Sequence, residues 1–536
     1  MANAADIIAR RLHDAGCRYV FGIPGGETLA LMDALAAAGL RFVLTKQENA
    51  AGFMAEGVFH ATGAPGVMVA TLGPGVANAA TVIAHAMQDR VPLLVLTGCI
   101  DAGDALTYTH QIFDHRAMLA PITKASFTAV DGAIDAVIDK ALAIALDDQP
   151  GPVHVDVPVG VATSPQAVVA GAQRVRPAPS APAKGPDLEK AQTCLRDATR
   201  PLMIAGVDVL HHNAVATVAS LVRDFSIPLI TTYKAKGILA EDQDLCLGAA
   251  GLSPTADKFL LPLLRQSDLI LLVGYDPIEM RMGWRDPWDR HKQVIEFASV
   301  VNTHYMHQAR ISFIGHVGAG LEALRAGVEP QPQTWPGSEL NATRTALRSA
   351  FRSDEDWGPA AVVDTVRRLL PRDGVATVDS GAHRILLSQV WQCYAARTLL
   401  QSNALGAMGS ALPLAIGFKL AEPQRPLVAF TGDAGLEMVM GELATLRDLK
   451  LPLVIVVFVD EQLGLIELKQ RGAGLKNLGV DFGATNFSAV AIALGGYGAW
   501  VRNRDDLARE LKTALARNTF TIIACPIGRH SYDGRL

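Results

Sequence analysis

Short apolar segments alternate with helical patterns along nearly the whole chain, and this alternation limits the folds open to it more than any other feature. Residues 67–71 and 93–97, for example, are apolar runs of strand length, and residues 49–62 have the periodicity of a helix. Strands that alternate with helices form parallel sheets covered by helices on both faces. The sequence therefore predicts an α/β fold built on parallel sheets.

Two proline-rich segments divide the chain of 536 residues into three blocks of this kind. The first segment, 164–185, contains Pro177, Pro179 and Pro182, and the second spans 327–337. Further strands are predicted near 19–21, 42–44, 153–157, 202–205, 229–232, 269–273, 294–297, 375–378, 427–431, 453–459 and 521–524. We therefore predict three parallel-sheet α/β domains, at 1–165, 188–327 and 355–536.

Composition argues against several classes of protein. The 48 basic and 53 acidic residues give a net charge of −5 without a dense basic run, which disfavours nucleic-acid binding. No apolar run approaches the ~20 residues of a membrane-spanning helix, and the first residues do not resemble a secretory signal. The six cysteines are scattered without a Cys-x-x-Cys pair, which is typical of reduced thiols. We expect a cytoplasmic protein that binds neither membranes nor nucleic acid.

Two acidic residues at the ends of neighbouring predicted strands indicate a metal and phosphate site. Asp433 follows the strand 427–431, and Asp460 follows the strand 453–459, 27 residues later. This spacing fits one strand–helix–strand unit, so both carboxylates can meet at one edge of the sheet. Mg²⁺ prefers such oxygen ligands, and the N-terminus of the helix predicted at 436–449 offers free N–H groups to a phosphate. The alternative is that Asp433 only caps this helix.

The segment 432–435, together with Asp460, resembles the diphosphate and Mg²⁺ signature of the thiamine-diphosphate enzymes in the acetolactate synthase, benzoylformate decarboxylase and benzaldehyde lyase superfamily. The resemblance implies that Asp433, Asp460 and the main-chain carbonyl of Gln462 hold Mg²⁺. Asp460 departs from the family pattern, in which this ligand is usually asparagine. The same cofactor is expected to contact Gly432, Ala434, Gly435, Leu463, Gly464 and Leu465.

A second segment, 45–57, is similar to the family segment that carries its activating glutamate. Glu48 follows a predicted strand and opens a helix, where its carboxyl group is partly removed from water. The resemblance implies that Glu48 hydrogen-bonds N1′ of the aminopyrimidine ring and favours the imino tautomer, which removes the proton from the thiazolium carbon. Without the resemblance, Glu48 would be interpreted as a cap of the following helix.

Three further segments resemble cofactor contacts of the family. Residues 72–78 look like the turn beside the pyrimidine, residues 379–383 like the turn that meets the diphosphate, and residues 406–413 like the segment that bends the cofactor. The contacts that the resemblance implies are Pro74, Asn78, Gly381, Ala382, His383 as a donor to the diphosphate, the Gly406 carbonyl, and Met408 between the two rings.

The resemblance covers nearly the full chain, in the family's order of pyrimidine-binding, central and diphosphate-binding domains. In that family the cofactor lies between the first domain of one subunit and the third domain of another, so a homodimer or homotetramer is required for activity. Relatives bind FAD or ADP in the central domain, but no Gly-x-Gly-x-x-Gly follows its predicted strands, and Gly206 and Gly274 are weak signals. We expect the central domain to be structural, without a nucleotide.

Four residues are candidates for contact with the substrate. Gln111 aligns with a family glutamine near the reactive carbon. His110 and His115 flank it and are candidates for a general acid or base, with a structural role as the alternative. Glu27 occupies a loop position that is small in acetolactate synthases and histidine in benzaldehyde lyase. It is a candidate for proton transfer, or a cap of the helix predicted at 28–38.

Two positions depart from relatives, and the tail adds two candidates. Ile466 stands where pyruvate decarboxylases carry a catalytic glutamate, which argues against release of a simple aldehyde from pyruvate. Lys469 stands where acetolactate synthases have a tryptophan that selects the acceptor, and a solvated lysine is the alternative. Arg529 and His530 are candidates for closing the site, with a frayed terminus as the alternative.

Together these motifs predict a thiamine-diphosphate- and Mg²⁺-dependent lyase or carboligase, acetolactate synthase-like, that acts on a 2-oxo acid or a related carbonyl compound. A 2-oxo acid decarboxylase or a 2-hydroxyacyl lyase is the second expectation. A cofactor-binding regulatory or scaffold protein is the alternative from another class, and the presence of Glu48 with Asp433 and Asp460 argues against it.

Overall fold

The computed structural model describes residues 2–167 and 178–536, which form three parallel sheets with flanking helices. This confirms the predicted α/β class with three domains. Pro177 and the rest of 168–177, in the first proline-rich segment, lie outside the described residues. The second proline-rich segment, 327–337, forms neither helix nor strand.

Each sheet contains six parallel strands. The first consists of β1 (Tyr19–Ile23), β2 (Arg41–Leu44), β3 (Gly66–Ala70), β4 (Leu93–Cys99), β5 (Ala125–Thr128) and β6 (Pro152–Pro158), in the order β2-β1-β3-β4-β6-β5. The second consists of β7 (Pro201–Ala205), β8 (Leu229–Thr232), β9 (Cys246–Ala250), β10 (Leu269–Val273), β11 (Gln293–Ala298) and β12 (Ile311–Ile314), in the order β12-β11-β10-β7-β8-β9. The third consists of β13 (Val375–Val378), β14 (Leu399–Gln401), β15 (Leu427–Gly432), β16 (Val454–Val459), β17 (Tyr497–Trp500) and β18 (Thr521–Pro526), in the order β14-β13-β15-β16-β18-β17.

Helices connect and cover these strands. Those around the first sheet are α1 (Ala4–Asp14), α2 (Leu29–Ala37), α3 (Glu48–Thr62), α4 (Pro74–Asn78), α5 (Ala80–Gln88), α6 (His115–Leu119), α7 (Ile134–Leu146) and α8 (Val159–Thr163). Those around the second are α9 (Pro186–Asp197), α10 (Asp208–His211), α11 (Val215–Asp224), α12 (Pro254–Gln266) and α13 (Val317–Arg325). Then follow α14 (Glu339–Ala350), α15 (Pro359–Leu369), α16 (Ala382–Val390), α17 (Ala411–Ala421), α18 (Asp433–Val439), α19 (Glu442–Leu449), α20 (Gly464–Gly472), α21 (Phe487–Ala493) and α22 (Arg504–Leu515). Among the described residues, none of the helices combines the length and apolar character that crossing a membrane requires.

The strand orders determine where ligands can bind. Counted from its own first strand, the third sheet has the same order as the first, 2-1-3-4-6-5, whereas the second has the order 3-2-1-4-5-6. In open parallel sheets, ligands bind beyond the carboxyl ends of the two strands between which the order reverses. Those pairs are β1 with β3, β7 with β10, and β13 with β15.

The strands missing from the sequence prediction all lie at sheet edges. They are β5, β9, β12, β14 and β17. The outermost strands have only one neighbour. None of the residues of β5, β12 and β17 is buried, whereas β9 and β14 are largely buried but short. Because apolar runs reveal buried strands best, edge strands such as β12 and β17 give a weaker sequence signal.

The helix predicted at 436–449 is wrong in its extent. The structure contains two helices there, α18 and α19, separated by Met440 and Gly441. The first begins at Asp433, earlier than predicted, because Gly432 has extended backbone angles and acts as its N-cap. This earlier start places Asp433 in the first helical turn.

The first and third domains share a core in which α3 packs closely against α17. Phe53 and Met54 of α3 belong to the same buried cluster as Leu414 and Phe418 of α17. The helices approach so closely because Gly417 faces α3 without a side chain. This packing fixes α3, and with it Glu48 at its N-terminus, relative to the third sheet of the same chain.

Replacing Gly417 with alanine is expected to lower the melting temperature. Alanine favours helices by about 1 kcal/mol over glycine, but a Cβ at Gly417 would lie 1.8 Å from the carbonyl oxygen of Met54. Overpacking of this kind costs about 1–3 kcal/mol, so the clash outweighs the gain in helix propensity. Thermal unfolding followed by circular dichroism measures the shift. Gly472→Ala in α20 is the matched control, since its added Cβ would meet nothing within 4 Å; equal melting temperatures for both variants would contradict the argument.

Candidate active site

A cavity of about 190 Å³ lies at the carboxyl ends of β13 and β15, where the strand order of the third sheet reverses. It is lined by all the residues that the sequence analysis assigns to the diphosphate and metal site, from Gly381 to Leu465. Ser380, Phe458 and Tyr532 also line it. A water molecule in the liquid occupies about 30 Å³, so the cavity has room for a metal ion and a diphosphate group.

Asp433 connects the ends of β15 and β16. The residue is 4% exposed, and its Oδ2 accepts hydrogen bonds from the backbone N–H groups of Asp460 at 3.1 Å and Glu461 at 2.8 Å. Its Oδ1 accepts from the N–H of Ala434 at 2.9 Å, in the first turn of α18. Asp433 therefore bonds to its own helix and also holds the end of the next strand, which capping alone does not explain.

Two carboxyl groups share this poorly hydrated edge of the sheet. Burial raises the pKa of Asp433 above its ordinary value. Burial and the neighbouring Asp433 carboxylate raise the pKa of Asp460 to about 7. Like charges in one site disfavour each other, and a divalent cation that prefers oxygen ligands would stabilise both. The chemistry of this pair therefore fits Mg²⁺.

The turns around Asp379 form a close-fitting wall. A Cβ on Gly435 would lie 2.0 Å from Oδ2 of Asp379, so a larger residue does not fit there. Asp379 also accepts hydrogen bonds from the N–H of Gly409 at 2.8 Å and from Nε2 of His383 at 2.9 Å. With its Nε2 hydrogen directed to Asp379, His383 can donate to a diphosphate only through Nδ1, in the doubly protonated form. The N-terminus of α16, at Ala382, presents backbone N–H groups to the same cavity.

The C-terminal segment closes one side of the cavity. Tyr532 is 4% exposed and lines it. Arg529 donates from Nε to Oε1 of Gln462 at 3.1 Å, and Gln462 donates from Nε2 to the Arg529 carbonyl. Arg529 also forms an ion pair with Asp481. The terminus is therefore held in place, not frayed, and Arg529 contacts Gln462, although Arg529 and His530 are both exposed and neither lines the cavity.

The two positions that depart from relatives lie in different surroundings. Ile466 lines the cavity. Lys469, further along α20, is exposed and does not line it. In the single chain, this exposed position agrees with the alternative that Lys469 is a solvated lysine.

The segment 71–78, which includes the short helix α4 and is called the loop 71–78 below, follows β3, where the strand order of the first sheet reverses. Several residues predicted in the first domain lie around it. Glu27, beyond the end of β1, accepts hydrogen bonds at Oε1 from the N–H of Leu72 at 2.8 Å and from the Thr71 hydroxyl. A Cβ on Gly98 would lie 2.2 Å from Cγ of Glu27, so β4 also confines this side chain. The carboxylate of Glu27 is therefore held by the loop, and these contacts are not those of a helix cap.

Glu48 is the first residue of α3 and is 5% exposed, so its predicted removal from water is confirmed. Its Oε2 accepts a hydrogen bond from Nδ2 of Asn78 at 3.2 Å, and its Oε1 lies 3.5 Å from the position of a Cβ on Gly75. Pro74 opens α4, where proline fits because its missing N–H would have no helical partner. The structure thus brings Glu48, Pro74 and Asn78 together around one loop.

His115 is held in a buried polar network. The N–H of Gly73 donates to its Nε2 at 3.3 Å, and its Nδ1 donates to Oδ1 of Asp156 at 2.8 Å. The Thr97 hydroxyl donates to the same Asp156 oxygen at 2.6 Å. Burial raises the pKa of Asp156, but hydrogen bonds from His115 and His154 overcome this effect and keep it well below its usual range. Asp156 therefore stays ionised and orients the imidazole of His115.

Gln111 and His110 differ in placement. The backbone of Gln111 has a left-handed φ of 61° and packs on the loop, since a Cβ on Gly73 would lie 2.6 Å from the Gln111 carbonyl oxygen. Gln111 and His115 line one cavity of the first domain together with Leu72. His110 is exposed, and its ring contacts the edge of Tyr108. Of the two predicted histidines, only His115 joins this group.

Sequence reasoning missed Thr97, His154 and Asp156. They lie on β4 and β6, inside runs that were interpreted as apolar strands. A polar side chain in a buried strand requires a partner. Three polar residues inside two apolar strands were therefore the signal that could have revealed the buried hydrogen-bond network around His115.

The second sheet has a cavity of about 230 Å³ at its own point of strand reversal. Its lining includes Asp208, Asp276 and Glu296. A Cβ on Gly206 would lie 2.4 Å from the carbonyl oxygen of Gly274, so these glycines let the strand ends approach each other. Three carboxyl groups are poor partners for the phosphates of FAD or ADP. A central domain without a nucleotide stays a prediction.

The two groups of predicted residues do not line a common cavity among the cavities described above. All residues that line the cavity at β13 and β15 come from 380–532. Glu27, Glu48, Gln111 and His115 gather on the first sheet instead. In a single chain, no first-domain residue therefore lines the third-domain cavity in which the cofactor is expected.

Comparisons with known proteins match the three domains in the predicted order. A model of the thiamine pyrophosphate enzyme N-terminal TPP binding domain matches residues 2–118, the central-domain model matches 188–324, and the C-terminal TPP binding domain matches 379–525. An acetolactate synthase of Bacillus subtilis is 30% identical over 98% of this chain and 93% of its own length. A probable 2-ketoarginine decarboxylase, AruI, of Pseudomonas aeruginosa is 31% identical over 97% of this chain and 93% of its own length. The acetolactate synthase isozyme 1 large subunit of Escherichia coli is 29% identical over 87% of this chain and 83% of its own length.

Proposed function

We propose that this chain, which belongs to the thiamine pyrophosphate (thiamine diphosphate) enzyme family, is an acetolactate synthase-like carboligase that uses a 2-oxo acid as its donor. The observation that carries the proposal is the cavity at β13 and β15, because residues from five separate segments of the sequence converge there. When bound, thiamine diphosphate supplies a nucleophilic thiazolium carbon that attacks a carbonyl group. The residues of this chain bind that cofactor, orient it and move protons.

We assign the binding of Mg²⁺ to Asp433, Asp460 and the carbonyl of Gln462. Support comes from the two carboxyl groups: burial raises the pKa of both, and the Asp433 carboxylate raises that of Asp460 further, so that a shared cation would be favourable. Held by these residues, Mg²⁺ would supply positive charge beside the place of the diphosphate. The N–H groups at the start of α16 contribute further hydrogen-bond donors to the diphosphate.

Glu48 is proposed to hold the proton that activates the aminopyrimidine. Asn78 donates to Oε2 of Glu48, which leaves Oε1 to carry the proton. Burial keeps water from competing for this carboxyl group. In the same site, His115 is the proposed general acid or base, because Asp156 fixes its ring and its tautomer.

The proposed active assembly is a homodimer or homotetramer in which Glu48 of one copy faces the third-domain cavity of another. The support is that the walls of this cavity come only from 380–532, while Glu48 and His115 lie on the first sheet. We also propose a cytoplasmic location, because all six cysteines are free thiols and four of them are buried.

A second candidate function is the decarboxylation of a 2-oxo acid with a cationic side chain. The specific observation is the Glu27 carboxylate. Its Oε1 accepts both hydrogen bonds from the loop 71–78, and its Oε2 takes part in neither of them. A carboxylate at this place suits a guanidinium group, and one relative is described as a probable 2-ketoarginine decarboxylase.

A donor screen separates the two candidates. The purified enzyme with thiamine diphosphate and Mg²⁺ is given pyruvate or 2-ketoarginine, and both CO₂ and the organic product are measured. The synthase proposal predicts CO₂ with a ligated product from pyruvate. Free aldehyde with CO₂, formed from 2-ketoarginine and not from pyruvate, would replace the first candidate by the second.

Glu27→Gln sharpens this test. If a cationic donor pairs with Glu27, the substitution is expected to raise its KM by about tenfold or more, because it removes a charge-assisted hydrogen bond. The KM of pyruvate should change little. Equal effects on the two donors would assign Glu27 a structural role in the loop.

A further inference from the structure

A large basic cavity lies away from both regions described above, between the second sheet and the helices α14, α15 and α16. Its volume is about 440 Å³. Two acidic residues, Glu241 and Asp364, line it, against six basic ones. The basic residues are Lys236, Arg344, Arg348, Arg352, Arg367 and Arg368. The chain as a whole carries a net charge of −5, so this surplus of positive charge is a local feature.

Three of the arginines follow one another at helical spacing. Arg344 and Arg348 lie four residues apart on α14, and Arg352 follows four residues later, just beyond the helix end. Like charges at this spacing destabilise a helix. An anion bound between them would relieve this repulsion.

Four of the six basic side chains have carboxylate partners. Lys236 pairs with Glu241 at 2.7 Å, and Arg344 pairs with Asp244 at 2.7 Å. The other two pairs are Arg352 with Asp354 at 3.6 Å and Arg368 with Asp364 at 3.0 Å. These pairs fix part of the wall and leave two positive charges without a counter-charge.

Arg348 and Arg367 have no carboxylate within ion-pair distance among residues 2–167 and 178–536. Arg367 is 7% exposed, and its guanidinium lies over the rings of Trp391 at 4.8 Å and Tyr394 at 5.1 Å. Its Nη2 donates to the Leu370 carbonyl at 2.9 Å, so its contacts orient the guanidinium without neutralising it. A buried cation without a counter-ion is unfavourable, and an anion in the cavity would compensate it.

We propose that this cavity binds a small organic phosphate. Guanidinium groups bind phosphate oxygens through paired hydrogen bonds, which favours phosphate at a wall built mainly of arginine. The volume lies in the range of cavities that hold small organic molecules, and Leu247, Leu347 and Phe351 supply an apolar wall for the organic part. This proposal does not depend on the reaction proposed above.

The test uses the full-length enzyme saturated with thiamine diphosphate and Mg²⁺, so that the diphosphate site at Asp433 is filled. ADP is titrated in a calorimeter. The proposal predicts one ADP per chain and displacement of that ADP by inorganic pyrophosphate, because both carry the recognised phosphate groups. Arg348→Glu is expected to weaken ADP binding by about tenfold or more, since it removes a charged hydrogen bond and adds repulsion.

Arg10→Ala is the matched control, because Arg10 is an exposed arginine on α1, outside the cavity. It should bind ADP as the unchanged enzyme does. Arg348 is also exposed, so its substitution should not prevent folding, and the melting temperature verifies this. Absence of ADP binding, or binding that is unchanged in Arg348→Glu, would overturn the proposal. The second result would place ADP elsewhere, such as at the second sheet.

Discussion

Asp433→Asn is expected to weaken the Mg²⁺-dependent retention of thiamine diphosphate by about 100-fold or more, because it replaces a proposed metal ligand. The carboxylate accepts hydrogen bonds from the N–H groups of Asp460 and Glu461. The other carboxylate oxygen accepts from the N–H of Ala434. The amide NH₂ of asparagine must face one of these two sets of donors and cannot accept from it, so either the end of β16 or the start of α18 loses its hydrogen bond. Equilibrium dialysis with labelled cofactor, with and without Mg²⁺, measures the effect.

Asp505→Asn is the matched control, since Asp505 is an exposed carboxylate in the first turn of α22, as Asp433 is in the first turn of α18. It should retain cofactor like the unchanged enzyme. Melting temperatures of both variants separate loss of the ligand site from loss of the fold. Wild-type affinity in Asp433→Asn, still dependent on Mg²⁺, would remove Asp433 from the metal site.

Glu48→Gln is expected to lower turnover by about 10²- to 10⁴-fold, the usual range for removing a general acid or base. Glutamine has nearly the same size and can still accept the hydrogen bond from Asn78, so the loop 71–78 should keep its shape. Cofactor binding should therefore persist while proton exchange at the thiazolium carbon slows by a similar factor. Nuclear magnetic resonance of quenched samples in D₂O measures that exchange.

Asp33→Asn, at an exposed position on α2, is the control for Glu48→Gln and should exchange at the normal rate. Unchanged exchange in Glu48→Gln would show that another group activates the cofactor. It would also reopen the scaffold alternative, because Glu48 was one of the residues that argued against it.

The third-domain site could be predicted because its signals are local in the sequence. Asp433 and Asp460 each follow an apolar run of strand length, and their separation fits one strand–helix–strand unit. The parallel pairing of β15 with β16 brings their ends together. Glu48 also lies between a strand and a helix, but this position alone favoured a helix cap, and its proposed role came from the resemblance of residues 45–57 to the family segment.

Other features depend on contacts between distant segments, which local patterns do not encode. The bond from Thr71 to Glu27 exists because β1 pairs with β3, and nothing near Glu27 in the sequence specifies that neighbour. Asp156 meets Thr97 because β6 pairs with β4. Tyr532 reaches the cavity from the chain end, 72 residues beyond Asp460. Edge strands such as β17 were missed because solvent on one side weakens their apolar pattern.

The cofactor is proposed to lie between the first domain of one copy and the third domain of another. Co-expression of Glu48→Gln and Asp433→Asn chains with different tags, followed by isolation of mixed oligomers, tests it directly. Each variant alone should be nearly inactive. If two chains build each site, the isolated mixed dimers should recover about half of the normal activity, because each has one intact site of two. The unfractionated random mixture should recover about a quarter, because only about half of its dimers are mixed. Mixed oligomers as inactive as the separate variants would show that Glu48 and Asp433 serve the same chain, and would contradict the account.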